Sequence, residues 1–163
     1  MKTQRIYIDT SVVGGYFDDE FAAATQALFA RLAAGEVVFV VSDMLDEELT
    51  DAPQRVRELL DRYNKPNSLE FVEQTDEVEA LANRYIAEKV VGEASVDDCR
   101  HIALATVNRV DAIASWNFKH IVNLDRIRGY NGVNLKNGYS SVEIRSPQEL
   151  LNYGNDDKTG KRI

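Results

Sequence analysis

Three acidic residues and one amide occupy positions where proteins with alternating strands and helices bind ligands. Asp9 ends a short apolar run, Glu48 lies early in a helix after a second apolar run, Asp98 lies in the first turn of a later helix, and Asn117 follows another strand-like run. In an open parallel sheet, strands end and their following helices begin at one edge, where ligands bind. We therefore expect these four side chains to share that edge, although Asp9 alone could be a solvated turn residue.

The chemistry of such a group is that of a cation site. Carboxylates held close together in a partly buried place repel one another, and a divalent cation is the usual way to keep them ionised. Oxygen ligands without an accompanying Cys or His cluster select hard ions. The residue types therefore predict a Mg²⁺ or Mn²⁺ site.

Simpler roles remain open for some of these residues. Glu47 precedes Glu48, and the helical spacing does not decide which of the two faces inward. Asp98 completes a pattern with Ser95 that is typical of a helix-capping box, which alone would explain it. His101, three residues after Asp98, is expected to hydrogen-bond to a ligand rather than to be one.

Apolar periodicity predicts the elements that would position these residues. Strands are expected near residues 5–8, 36–41, 69–72 and 111–116, with a possible edge strand at 142–145. Helices are expected at 11–17, 21–34, 44–50, from Pro53 to 63, at 78–92, 95–108, 124–137 and 147–151. This alternation predicts an α/β fold with a mostly parallel sheet covered on both faces.

Length and composition indicate one globular domain. The chain has 163 residues, of which 44% are hydrophobic, enough to bury a core without metal or disulfide cross-links. We expect the domain at residues 1–153 and a polar, flexible tail at 154–163. A single cysteine, Cys99, and the lack of a signal peptide or a membrane-spanning apolar run predict a cytoplasmic protein with no membrane association.

Charge is distributed unevenly along the chain. The net charge is −8, which argues against a protein that coats nucleic acid, although not against a nucleic-acid enzyme. Residues 1–82 carry 7 basic and 17 acidic side chains, whereas residues 83–163 carry 12 and 10. In segment 118–139, basic and aromatic residues alternate in a composition suited to phosphate contact and base stacking. The candidate RNA contacts are Lys119, His120, Arg126 and Arg128, unless the segment is an ordinary solvated surface.

Four sequence motifs together resemble a PIN domain, and more narrowly the VapC-type ribonuclease toxins of toxin–antitoxin pairs. The motifs are Ile-Asp-Thr-Ser at 8–11, the stretch from Ser42 through Glu48 and Leu49, Asp-Cys-Arg-His-Ile-Ala at 98–103, and Ser-Trp-Asn-Phe-Lys-His at 115–120. Their order and spacing cover roughly residues 5–145. No single motif is specific, and the resemblance depends on all four occurring in sequence.

The resemblance implies a three-layer α/β/α sandwich and hydrolytic, Mg²⁺- or Mn²⁺-dependent cleavage of RNA. Its acidic residues map onto Asp9, Glu48 and Asp98 as catalytic metal ligands. A fourth acidic position of many members falls on Asn117, which brings an amide oxygen without charge, so a second metal ion is in doubt. The resemblance also implies a protein antitoxin as partner and allows a homodimer.

Thr10 and Ser11 are expected to orient Asp9 or the attacking water from a second layer of contacts. A dehalogenase-type phosphatase would need a second acid two residues after Asp9, where Ser11 stands, and a receiver domain would need acids that are not present. The alternative that stays open is a PIN-like interaction module with a weakened metal site, because Asn117 replaces an acid.

Overall fold

The computed structural model describes residues 3–152, and its centre is a five-stranded, wholly parallel sheet. The order across the sheet is β3-β2-β1-β4-β5, so the first strand of the chain is the central one. The strands are β1 (Gln4–Ile8), β2 (Val37–Ser42), β3 (Leu69–Val72), β4 (Ala112–Ala114) and β5 (Glu143–Arg145). The predicted α/β fold with a parallel sheet is confirmed.

Helices connect every pair of successive strands. They are α1 (Thr10–Gly15), α2 (Ala22–Ala33), α3 (Asp43–Glu48), α4 (Gln54–Arg57), α5 (Leu59–Tyr63), α6 (Asp76–Ala87), α7 (Val96–Val107) and α8 (Leu124–Lys136). A 3-10 turn, Glu93–Ser95, precedes α7, and residues 147–152 are helical again. The predicted order of elements therefore holds along the described chain.

Strand β1 shows why the sheet needs helices on both faces. Ile6 and Ile8 point toward α1 and α2, whereas Tyr7 points to the opposite face, and all three side chains are buried. A strand buried on both faces has a continuous apolar sequence rather than an alternating one. The three-layer α/β/α arrangement follows from two separate apolar cores, one on each face.

Each core joins the sheet to its own set of helices. The first packs β1, β2 and β4 against α6, α7 and α8, with Tyr85, Ile102 and Tyr130 fully buried. The second packs the sheet against α1 to α5, with Phe29 and Leu45 at its centre. Because helices follow the strands, helix N-termini and strand C-termini meet at one edge of the sheet.

Local capping explains where several helices begin. The side chain of Ser42 accepts a hydrogen bond from the N–H of Leu45 at the start of α3, and Thr75 does the same for Val78 at the start of α6. Each satisfies a main-chain donor that the helix itself leaves unpaired. The end of β2 and the start of α3 are therefore fixed relative to each other.

Two predicted details differ from the structure. The helix expected after Pro53 is two short helices that meet at Glu58, whose φ of −90° and ψ of −5° interrupt the regular helix. The capping box predicted at Ser95 does not form, because that side chain makes no capping hydrogen bond at the start of α7. Asp98 is therefore not explained by a capping role.

The predictions for the C-terminal end of the chain remain predictions. The predicted tail at 154–163 lies outside the described residues, and the domain boundary at 153 stays a prediction. Within residues 3–152, no helix is long and apolar enough to cross a membrane.

Candidate active site

Asp9 lies at the carboxyl end of the central strand and is 4% exposed. It is the N-cap residue of α1, where its carboxylate accepts a hydrogen bond from the N–H of Val12. The same carboxylate accepts hydrogen bonds from Ser11 Oγ at 2.6 Å and from Ser115 Oγ at 2.5 Å. Both oxygens of a buried acid therefore accept short hydrogen bonds, one from helix α1 and one from the loop that follows β4.

The two serines link Asp9 to the loop that follows β4. The main-chain N–H of Trp116 donates to Ser11 Oγ at 2.8 Å, and the N–H of Asn117 donates to Ser115 Oγ at 3.0 Å. Each serine hydroxyl thus accepts a hydrogen bond from a main-chain N–H and donates one to Asp9. This arrangement fixes the loop and the carboxylate in one rigid unit.

Asp98, Asn117 and His120 form the neighbouring part of the site. Asn117 Nδ2 donates to Asp98 Oδ1 at 3.2 Å, while Asn117 Oδ1 accepts from the main-chain N–H of His120 at 3.0 Å. That second contact fixes the amide orientation. Asn117 therefore turns its nitrogen toward Asp98, instead of the oxygen that a metal ligand would offer.

Glu48 belongs to a chain of side chains that runs into the core. His101 Nε2 and Thr10 Oγ1 both lie 2.6 Å from Glu48 Oε1, and His101 Nδ1 lies 2.6 Å from Tyr7 Oη. Tyr7 Oη lies 2.9 Å from Ser42 Oγ. A neutral imidazole with its proton on Nε2 satisfies every member, since it donates to the carboxylate and accepts from the phenol.

The structure therefore places the predicted supporting residues on different acids. Ser11 contacts Asp9, whereas Thr10 contacts Glu48. Of the two adjacent acids, Glu48 is the one whose carboxylate reaches His101, although both residues are exposed.

Burial acts on the three acids in different ways. It raises the pKa of Asp9 above its usual value, and hydrogen bonds from the two serines only partly oppose this. Burial also raises the pKa of Asp98, with added repulsion from Asp9 and Glu48. For Glu48, burial is outweighed by the hydrogen bonds from His101 and Thr10, so the pKa of Glu48 is lowered.

These acids suit a hard cation by their chemistry. Asp9 and Glu48 both disfavour the ionised form of Asp98, and the donor atoms of all three side chains are oxygen. Among residues 3–152, however, no three acidic, Cys or His side chains form a ready-made metal cluster. The donor set fits a divalent cation held mainly by Asp9 and Asp98, because hydrogen bonds from His101 and Thr10 already stabilise the Glu48 carboxylate.

Some basic side chains of segment 118–139 contact other parts of the protein, and others do not. Arg126 donates to the main-chain oxygen of Val90 at 2.5 Å and is half-buried. His120 is half-buried, and its Nδ1 is enclosed without a hydrogen-bond partner in the described structure. Lys119 and Arg128 are exposed and make no ion pair or side-chain hydrogen bond within residues 3–152. Only these two remain fully available to a phosphate.

Sequence reasoning missed three contributors to the site. Apolar periodicity places Tyr7 in a strand but does not indicate that its hydroxyl contacts Ser42. The sequence also gives no sign that Ser115 donates a hydrogen bond to Asp9. Tyr7 offered a weak signal: it is a polar-tipped residue in a strand buried on both faces, and such a hydroxyl needs a partner.

Known structures share this arrangement of elements. The sequence matches no protein-family model and no curated protein. The VapC20 toxin of Mycobacterium tuberculosis, described as cleaving the sarcin-ricin loop, is similar with a TM-score of 0.55 and 14% identity over 70% of this chain and 91% of that one. The chain therefore has the fold of a VapC toxin.

A second VapC-type structure agrees with the first. The VapBC2 complex of Rickettsia felis, bound to a DNA fragment from its promoter, contains a chain with a TM-score of 0.51 and 13% identity, covering 71% of this chain and 89% of that chain. At such identities the likeness establishes the fold. The function has to be argued from the site.

Proposed function

We propose that this protein is a divalent-metal-dependent ribonuclease that hydrolyses phosphodiester bonds of RNA and acts as the toxin of a toxin–antitoxin pair. The observation that carries the proposal is the pair Asp9 and Asp98, two acids with raised pKa values at the carboxyl edge of a parallel sheet. The VapC fold supports the substrate class, since the similar VapC20 toxin is described as cleaving the sarcin-ricin loop.

Each residue has a distinct part in this proposal. Asp9 and Asp98 would hold Mg²⁺ or Mn²⁺, which when bound supplies positive charge to polarise the scissile phosphate and favour attack by water. Ser11 and Ser115 keep the Asp9 carboxylate in one orientation, and Asn117 does so for Asp98. No covalent nucleophile is required.

Glu48 has a different part in the proposed reaction. His101 and Thr10 fix its carboxylate in the ionised form, so Glu48 can accept a proton or a hydrogen bond from the attacking water. His101 acts as a positioning residue, since both of its ring nitrogens are occupied by Glu48 and Tyr7.

The biological setting is part of the same proposal. A protein antitoxin would bind the toxin, as the VapBC2 complex suggests for its own chains, and both would act in the cytoplasm. A PIN-like interaction module without activity is the rival, and Asn117 is the observation that favours it. Its amide nitrogen already compensates Asp98 in part, in the way that a cation would.

Cleavage of labelled single-stranded RNA with Mg²⁺, Mn²⁺ or chelator tests the proposal. We expect cleavage that requires the cation and falls by at least about 100-fold in Asp98→Asn, because losing a ligand should exceed the 10–100-fold typical of residues that orient one. Asp97→Asn is the matched control. Asp97 is the adjacent acid, 61% exposed and paired with Arg100, and its loss should leave cleavage unchanged.

Two results would contradict the proposal of a metal-dependent ribonuclease. One is cleavage that persists in chelator, and the other is equal activity in Asp98→Asn and wild type. A protein that folds normally but cleaves no RNA with either cation would favour the interaction module.

A further inference from the structure

Three aromatic rings lie beside the candidate active site. Phe21 and Trp116 stack with their centroids 4.2 Å apart and an interplanar angle of 21°. Phe118 meets the Trp116 ring edge-on, with a centroid distance of 6.0 Å, and is 49% exposed. Phe118 therefore presents much of its ring to solvent while the two rings beneath it support it.

The supporting ring cannot move freely. Trp116 Nε1 donates to Thr25 Oγ1 at 2.9 Å, and its main-chain N–H donates to Ser11 Oγ. Gly15 lies directly under the indole, where an added Cβ would come within 2.8 Å of two ring atoms. A contact surface that is already ordered loses little entropy when a ligand binds to it.

The loop after β4 places this ring next to the acids. Ser115 donates a hydrogen bond to Asp9, and Asn117 donates one to Asp98. Phe118 directly follows Asn117 in the same loop. Lys119 follows, exposed and without an ion pair in the described chain. Within five residues, from Ser115 to Lys119, the loop thus combines contacts to both acids, an exposed aromatic face and a cation without an ion pair in the described chain.

We propose that Phe118 is a stacking platform for one nucleobase of a single-stranded RNA, with Lys119 contacting a neighbouring phosphate. This inference rests on the proposed function, because it names how the same site grips its substrate. Aromatic rings accept any base through its π-face, and a nearby cation binds the backbone. A stable protein interface needs about 800 Å² on each partner, which one ring and one lysine do not supply.

The other two aromatic residues of segment 118–139 are not available for stacking beside the acids. Tyr130 is fully buried and donates to the main-chain oxygen of His120. Tyr139 donates its hydroxyl to Glu77 on α6. Of the aromatic residues in segment 118–139, only Phe118 offers an exposed ring beside the acids.

Equilibrium binding separates stacking from charge. The probes are fluorescein-labelled 12-mers of adenylate and uridylate, and an abasic ribose-phosphate 12-mer, measured by anisotropy in the absence of a divalent cation so that cleavage does not interfere. Phe118→Leu should weaken binding of the base-containing probes by about 5- to 150-fold, the range for one stacked base. It should leave binding of the abasic probe unchanged.

Matched variants make the test specific. Phe118→Trp should restore binding, since it restores an aromatic face. Phe71→Leu removes another exposed ring, 62% exposed on β3, and should have no effect. Lys119→Gln should weaken binding of all three probes equally and reduce the salt slope by about one.

The outcomes separate this inference from the nuclease proposal. Equal losses for abasic and base-containing probes in Phe118→Leu, or no loss at all, would overturn the platform while leaving metal-dependent cleavage intact. Ring-dependent binding by a protein that cleaves no RNA would support the platform and overturn the nuclease. If Phe118→Leu instead weakened only an antitoxin complex, the surface would be a protein contact and the platform would be wrong.

Discussion

The two sides of the candidate site treat their carboxylates in opposite ways. Around Glu48, the protein supplies its own compensation, because His101 and Thr10 both hydrogen-bond to one carboxylate oxygen and the pKa of Glu48 is lowered. Around Asp9 and Asp98, burial dominates and the pKa values of both acids are raised. Negative charge is therefore stable in one place and costly in the other.

This difference indicates where an external cation is needed. A carboxylate that already accepts hydrogen bonds from two neighbours gains less from a cation than do a buried and a half-buried acid that repel each other. Asn117 relieves Asp98 only in part, with a single hydrogen bond from a neutral amide. The side of Asp9 and Asp98 is the one that a divalent cation would complete.

The largest expected effect comes from removing the internal partner. His101→Ala would leave Glu48 and the buried Tyr7 hydroxyl unpaired, and would open a cavity where a 3% exposed ring had packed. We expect a loss of about 2–4 kcal/mol in the free energy of unfolding and a 10–100-fold drop in kcat for RNA cleavage. Denaturant unfolding and steady-state kinetics measure the two effects.

Tyr7→Phe is the matched control for that change. It removes the hydroxyl that links His101 to Ser42 but keeps the ring and the contact between His101 and Glu48. Stability should fall by about 1–2 kcal/mol with little change in kcat. If Tyr7→Phe lowered kcat as much as His101→Ala, the histidine would have no special role in positioning Glu48.

Metal-free melting temperatures should shift in opposite directions on the two sides. Glu48→Gln weakens hydrogen bonds that depend on the carboxylate charge, so the Tm should fall. Asp98→Asn removes a repelling charge, so the Tm should rise. Each change is about 1 kcal/mol, which corresponds to about 2–4 °C for a domain of this size. Differential scanning calorimetry in chelator measures both, and shifts of the same sign would contradict the comparison.

The parallel sheet and the shared edge were predictable because apolar runs and helix periodicity follow directly from burial. Continuous runs such as the one at β2 require helices on both faces, and the connection rule then brings the four candidate residues to one edge. The β1 residue Tyr7 shows the limit of this reasoning. Its hydroxyl meets His101, a residue 94 positions later, and no local pattern encodes that contact.

Asn117 shows the same limit at finer scale. Its position at the edge followed from the strand before it. Its orientation, however, depends on the main-chain N–H of His120, which donates to the Asn117 amide oxygen, and no sequence pattern encodes that contact. Likewise, the sequence of segment 118–139 does not distinguish the basic side chains that have partners in the fold from those that do not. Only the fold shows that Arg126 is bound to Val90 while Lys119 is exposed.

The smallest expected effect is the pH dependence of stability without metal. The pKa of Asp98 is raised in the folded protein, so the folded state retains this proton to higher pH than the unfolded chain does. The cost of ionising Asp98 is therefore absent below its ordinary value of 3.8 and develops as pH rises through the raised value. For Glu48 the sign is reversed, because its lowered pKa gives stability that is present above the ordinary value of 4.5 and is lost as pH falls through the lowered value.

Subtracting melting curves of wild type and Asp98→Asn isolates the first of these contributions. The Tm advantage of Asp98→Asn should be smallest near pH 4 and should grow toward pH 7, where wild type carries the full repulsion among its acids. Saturating Mn²⁺ should abolish the Tm advantage of the variant. The cation should bind wild type more tightly and stabilise it more, because Asp98→Asn lacks one of the proposed ligands. An advantage that was independent of pH would mean that Asp98 ionises as freely in the folded protein as in the unfolded chain, and the contrast between the two sides of the site would be wrong.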